Sequence, residues 1–124
     1  MKIIIAAGTG FLGRNLENYF LDKNYEVKIL TRNPKRKNEI FWDAKTIGIW
    51  KDELEHADVL INLAGKSVDC RYNDKNRKEI YNSRIDSTRV LQKAIDKCQN
   101  LPRIWLNASS ATIYVHSETH LNTE

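Results

Sequence analysis

Apolar residues recur along this chain with two different periods. Ile3, Ile4 and Ile5 form an unbroken β-branched run, the pattern of a strand covered on both faces. Leu12, Leu16, Tyr19 and Phe20 then return at helical spacing. Residues 26–31 alternate well enough for a second strand, with Val27 and Ile29 on one face. Residues 40–42 read as a short third strand, 43–51 carry no period, and 52–57 fit one or two helical turns. Residues 59–64 predict a strong fourth strand, closed by Gly65, and a polar loop follows at 66–73. Tyr81, Ile85, Thr88, Leu91, Ile95 and Cys98 then share one stripe, which predicts a helix from about 74 to about 99, stopped by Asn100-Leu-Pro102. Residues 104–109 predict a fifth strand, and the polar stretch 115–124 has no period.

Strands that alternate with helices build a parallel sheet with helices on both faces. The expected fold class is therefore α/β. It is a three-layer, Rossmann-like sandwich whose right-handed crossovers give the strand order 3-2-1-4-5. The 124 residues make one domain, short for a complete dinucleotide-binding fold with two halves. A sheet cut short after five strands would leave the fifth as an open edge, which invites self-association as a homo-oligomer.

The glycines give this frame a chemistry. Gly8, Gly10 and Gly13 stand between a predicted strand and a predicted helix, the context that separates a dinucleotide-binding turn from a chance Gly-x-Gly-x-x-Gly match. One glycine permits the tight turn, one lets a pyrophosphate approach the backbone, and one lets helix and strand pack closely. Thr9, Phe11 and Leu12 complete the turn, and the helix N-terminus offers its free N–H groups to phosphate. Four of the chain's five glycines lie at the ends of predicted strands one and four, which meet where open α/β sheets bind ligands. The plain alternative is a glycine-rich connection with no ligand.

Arg32 refines this expectation. It follows the second strand, where the adenosine ribose of a bound dinucleotide lies, and where an NAD enzyme places Asp or Glu. Here the residues are Thr31-Arg32, then Lys35 and Arg36. The absence of a carboxylate favours the 2′-phosphate of NADP over NAD; a solvated basic loop is the alternative. The net charge of +4 is too mild to imply nucleic acid, and no aromatic platform accompanies Lys35-Arg-Lys37. No run approaches a membrane span. Cys70 and Cys98 form no metal or disulfide pattern, and His116 and His120 lack the His-Glu-x-x-His form, so no metal is expected and a reduced cytoplasmic setting is.

Two further strand ends face the same region. Asn62-Leu-Ala-Gly65 has small residues that let backbone reach a cofactor, and Ser109-Ser-Ala-Thr-Ile-Tyr114 holds a serine fit to bind a substrate hydroxyl or carbonyl. Together with Ala7-Gly-Thr-Gly-Phe-Leu-Gly13, Leu30-Thr-Arg32, Trp42-Asp43, Ala57-Asp-Val-Leu-Ile-Asn-Leu-Ala-Gly65 and Asn82-Ser-Arg-Ile-Asp-Ser-Thr-Arg89, they carry a resemblance. The chain resembles the N-terminal part of an extended or atypical short-chain dehydrogenase/reductase, in the nucleoside-diphosphate-sugar epimerase-like branch of the NAD-dependent epimerase/dehydratases. The resemblance implies an NAD(P)-binding domain over residues 1–124, with a C-terminal substrate region outside them. It implies hydride transfer on a sugar nucleotide or similar small carbonyl or alcohol. It makes Ser110 the counterpart of the family's catalytic serine, puts Asp43 near the adenine, and sets Leu63, Ala64 and Gly65 along the cofactor.

Three departures accompany the resemblance. Ala6-Ala7 replaces the usual Thr-Gly opening, an added methyl expected to be tolerated. Arg84 replaces a common structural asparagine and is expected to face phosphates or substrate, or to hold a network. The family's Tyr-x-x-x-Lys acid/base pair is missing, since Tyr19-Phe-Leu-Asp-Lys23 lies on the first helix with Tyr19 in its apolar stripe. This chain alone is thus expected to turn over little. A non-catalytic NADP-binding or sensing module stands as the alternative.

Overall fold

The computed structural model describes residues 1–109 and Thr119. Five strands make one sheet: β1 (Lys2–Ala6), β2 (Glu26–Thr31), β3 (Glu39–Phe41), β4 (Val59–Asn62) and β5 (Ile104–Asn107). Helix α1 (Phe11–Asp22) joins β1 to β2, and α2 (Asp74–Ile95) lies between β4 and β5. The strand order is β3-β2-β1-β4-β5, every pair parallel, as the alternating pattern requires. The class is α/β and Rossmann-like.

Register explains why β1 reads as a continuous apolar run. Ile3 pairs with both Val27 and Val59, and Ile5 with Ile29 and Ile61, so six β-branched side chains tile one face. Leu16 and Phe20 of α1 pack over them. Ile4 and Ala6 point the other way, into a second core with Leu30, Leu60, Trp42, Trp50 and Leu54, closed by Val90, Leu91 and Ala94 of α2. A strand at the centre of three layers has no polar side to show.

Four local readings shift. The third strand starts one residue early, at a buried Glu39. The helical turns expected at 52–57 are a 3-10 helix at Ile49–Leu54, which seats Trp50 against Trp42 with rings edge to face. Helix α2 ends at Ile95, and its buried face is Ser87, Val90, Leu91 and Ala94. Tyr81 is 66% exposed. Ser87 and Ala94 do not register in an apolar stripe, yet their small size lets α2 approach the sheet. On α1, Leu12 and Tyr19 are exposed while Glu17 is buried, for a reason given below. Strand β5 is an edge among the described residues, with Ile104 and Leu106 half exposed.

Candidate cofactor site

The turn from β1 into α1 separates the jobs its glycines do. No glycine among the described residues has positive φ; the left-handed position is Ala7, at φ 58°. The tight turn thus falls to an alanine, held there by its N–H donating to the Leu30 carbonyl at 2.8 Å. The added methyl is accommodated, but in a backbone region that disfavours it. Gly8 and Gly13 serve packing. A Cβ on Gly8 would sit 2.8 Å from Ile5 Cγ2, and one on Gly13 only 2.2 Å from the Gly8 carbonyl oxygen. Gly10 differs: a Cβ there would meet nothing within 4 Å.

Gly10 is also the N-cap of α1. It supplies no side-chain cap, and no acidic residue occupies the first turn. The N–H groups and positive dipole end of α1 are therefore not neutralised by side chains from within. Beside them Phe11, 87% exposed, and Leu12 present apolar surface. Donors, open space and uncompensated positive potential coincide here, so these residues fit a pyrophosphate.

The end of β2 supplies the next charges. Thr31 is buried, and its hydroxyl accepts from the Asn33 N–H at 3.3 Å. Arg32, one residue on, is exposed and makes no hydrogen bond or ion pair among the described residues. Its neighbours are committed elsewhere. Arg36 donates to Glu17 Oε2 at 2.6 Å and to Glu39 Oε1 at 3.0 Å; Arg14 of α1 donates to the same two atoms at 3.0 and 2.8 Å. Both carboxylates are 1% exposed. Asn38 Nδ2 reaches Glu17 Oε1 at 2.7 Å, and the Lys35 N–H reaches Glu39 Oε2 at 2.7 Å. Every carboxylate oxygen has a donor, which is what makes burial of two charges tolerable. The Lys35 N–H, then the Arg14 guanidinium, hold the Glu39 carboxyl below its usual range against the cost of burial. The sequence reading missed Glu17. Its signal was an acid on the core side of an amphipathic helix with Arg14 one turn before it.

Asp43 sits beyond β3 with its carboxylate turned onto its own loop. It accepts from the Lys45 and Thr46 N–H groups, both at 2.8 Å, and from the Thr46 hydroxyl at 2.7 Å. Burial pushes its pKa up and these hydrogen bonds outweigh it, so the pKa is lowered.

The end of β4 lies against the turn, for the Leu63 N–H donates to the Ala6 carbonyl at 3.0 Å. Asn62 is buried and ties three elements together. It donates to Asn107 Oδ1 of β5 at 3.0 Å and to Thr88 Oγ1 of α2 at 3.4 Å, and accepts from the Ala64 N–H at 3.1 Å. Arg84 donates to the carbonyls of Lys66 and Ile80 at 3.3 and 3.2 Å. Its guanidinium lies 3.2–3.4 Å from where a Gly65 Cβ would be, so the absence of a side chain at Gly65 lets the arginine rest on the backbone. Arg84, with Tyr72, Arg77, Ile80, Tyr81 and Ile85, lines an open depression of about 430 Å³. Next to it the Lys66 ammonium pairs with Glu79 and lowers that carboxyl's pKa.

The fold thus brings Gly8–Gly13, Leu63, Ala64 and Gly65 together at the β1 and β4 ends, with Thr31 and Arg32 next along the edge at the β2 end. Ser110, Tyr114, His116 and His120 lie outside the described residues. Among the described residues no group of acids, histidines and cysteines is arranged to hold a metal, and no helix is long and apolar enough to cross a membrane. Cys98 is a free thiol whose pKa burial, then Glu55, pushes up.

Known proteins share this fold. Residues 3–124 match the model of the NAD dependent epimerase/dehydratase family. The chain is 38% identical over 118 residues to the epimerase family protein YfhF of Bacillus subtilis, covering 92% of this chain and 39% of that one. Its fold superposes on human epimerase family protein SDR39U1, crystallised with NADPH, with a TM-score of 0.80 and 29% identity over 97% of this chain and 40% of that one. A nucleoside-diphosphate sugar epimerase from Corynebacterium glutamicum gives a TM-score of 0.76 at 27% identity, covering 95% of this chain and 24% of that one. The chain spans about two fifths of the length of the curated relatives it matches. The 3-2-1-4-5 parallel sheet is thus matched by solved structures over nearly the whole chain, and the chain belongs to the NAD dependent epimerase/dehydratase family, whose NAD(P)-binding fold it has.

Proposed function

We infer that this chain is the cofactor-binding portion of an NADP-dependent epimerase or reductase. One observation carries the preference for NADP. Arg32 has no partner among the described residues, while the two arginines nearest in the network, Arg14 and Arg36, are occupied by Glu17 and Glu39. An exposed guanidinium just beyond β2, with no acid to receive a 2′-hydroxyl, suits a 2′-phosphate. A relative solved with NADPH supports the same choice.

In this reading Gly8 to Gly13 hold the pyrophosphate through the N–H groups of the α1 N-terminus. Thr9, Phe11 and Leu12 border it, and Thr31 and Arg32 take the phosphorylated ribose. Asp43 lies by the adenine. Leu63, Ala64 and Gly65 run along the nicotinamide half, with Arg84 supporting them from behind. The bound cofactor would accept and return hydride. Ser110 orients the substrate's hydroxyl or carbonyl. The substrate class that fits is a sugar nucleotide or a similar small carbonyl or alcohol. The resemblance to an enzyme named for nucleoside-diphosphate sugars supports that class.

The test is titration of the chain with NADPH and NADH, followed by thermal shift. NADPH should stabilise more than NADH, and Arg32→Ala should remove the difference. Equal shifts from both cofactors would refute the NADP assignment. No shift from either would refute dinucleotide binding by this chain.

A further inference from the structure

The Glu17 cluster offers more than burial of charge. Helix α1 carries the phosphate turn at its N-terminus and Glu17 two turns further on. The β2–β3 loop carries Arg32 at one end and Arg36 and Asn38 at the other, where Glu39 opens β3. Two ion pairs, Arg14–Glu39 and Arg36–Glu17, and the Asn38 hydrogen bond to Glu17 cross between the two, while Arg14–Glu17 and Arg36–Glu39 close the cluster within each side. Each arginine bridges both acids, one arginine coming from the helix and one from the loop. The cluster is therefore a strut that ties the helix carrying one proposed phosphate site to the loop carrying the other.

We propose that Glu17 is a positioning residue for NADP selection, through the strut it forms with Arg14, Arg36 and Asn38. The proposal rests on the reading of Arg32 given above. Four cations crowd residues 32–37, and they repel one another. Glu17 and Glu39 draw Arg36 inward and fix the far end of the loop, so Arg32 is held at a set distance from the α1 N-terminus. NADH has no 2′-phosphate and is indifferent to that distance; NADPH must satisfy both ends at once.

Glu17→Gln is nearly isosteric yet breaks the strut. The oxygen that faces two guanidinium groups can be kept as the amide oxygen, but the amide NH2 then confronts Asn38 Nδ2, donor against donor, and turning the Asn38 amide over would set its Oδ1 against the Val27 carbonyl. Dissociation constants for NADPH and NADH are measured by calorimetry on the chain, on Arg32→Ala, on Glu17→Gln and on the double variant. Arg32→Ala should lower the preference for NADPH about tenfold, the worth of one charge-assisted hydrogen bond. Glu17→Gln should lower it about threefold or more by weakening NADPH alone. The double variant should show no loss beyond Arg32→Ala, because Glu17 acts through Arg32.

Equal weakening of both cofactors by Glu17→Gln would reduce the cluster to packing and overturn the proposal. So would a rise in NADPH preference, the result if a freed Arg36 served the phosphate itself, or full additivity in the double variant. If Arg32→Ala leaves the preference unchanged, the NADP reading itself falls. If Arg32→Ala lowers it and Glu17→Gln does not, only the positioning role falls. Should Glu17→Gln fail to fold, Asn38→Ala removes the 2.7 Å contact with Glu17 and a 3.4 Å one with the Val27 carbonyl, and keeps all four ion pairs. It should lower NADPH preference about twofold, a fraction of one hydrogen bond, and an unchanged preference there would overturn the proposal.

Discussion

Gly13→Ala gives a direct measure of how tightly the glycine turn is built. The new Cβ would lie 2.2 Å from the Gly8 carbonyl oxygen and 2.4 Å from Gly8 C and Cα. Ordinary contacts of this kind need at least about 3.2 Å, so the overlap is roughly 1 Å against three backbone atoms. Backbone cannot rotate away as a side chain can, and α1 must lift off the turn. Overpacking of this severity costs about 3 kcal/mol, the upper part of its usual range. Removing a glycine from a helix returns about 1 kcal/mol. The net loss is about 2 kcal/mol, or roughly 8 °C in Tm for a chain of this size. Gly10→Ala is the control, since its Cβ meets nothing within 4 Å. It should cost under about 1 kcal/mol as a poorer N-cap, yet weaken cofactor binding by filling the space the pyrophosphate needs. The assays are thermal unfolding by circular dichroism and NADPH titration by fluorescence. A Gly13→Ala chain that melts within 2–3 °C of the parent, about 0.5 kcal/mol, would refute the close-packing argument. A Gly10→Ala chain that binds NADPH as well as the parent would refute the open-cradle argument.

Two other outcomes follow from features of the same region. Ala7→Gly relieves the left-handed strain at φ 58° and should stabilise the chain by about 0.5–1 kcal/mol, read as a higher urea midpoint with an unchanged slope. Glu39 gives a pH signature. Its folded pKa lies below the ordinary 4.5, so its stabilising effect is complete above that value and is lost as pH falls through the lowered one. Urea unfolding across the acid range should show this loss in the parent chain, and Glu39→Gln should lack that part of the slope; an identical slope in both chains would count against the pairing.

The sequence was informative where physics is local and repetitive. The isoleucine run of β1, the β4 run ending in Gly65, and the glycines between strand and helix specified the sheet order and the turn, because buried parallel strands and tight connections leave few residue choices. It was less informative where one residue's role depends on a distant partner. Glu17 sits on the core side of α1 in sequence, but its role emerges only when Arg36 and Asn38 are brought beside it from the β2–β3 loop. Ser87 and Ala94 carry no hydrophobic signal, and their value lies in the close helix–sheet approach that larger residues would prevent. In sequence Ala7 is a tolerated added methyl, whereas in the structure it bears the one backbone conformation in the turn that glycine would take more easily. The sequence places Arg84 equally well as a ligand contact or a network member, and the structure shows it resting on the Gly65–Lys66 backbone.

The place of β1 in the sheet also governs the order in which the molecule can assemble. One side of β1 is satisfied by β2, across a connection containing only α1. Its other side waits for β4, and the Lys2 N–H finds the Asp58 carboxylate 56 positions along the chain. At synthesis rates of about 5–20 residues per second, the central strand spends several seconds with one edge unpaired. During that interval the β1–α1–β2 unit exposes a row of isoleucines beside open backbone donors and acceptors. Such a nascent species is vulnerable to intermolecular strand pairing, and its yield should depend on how quickly β4 arrives.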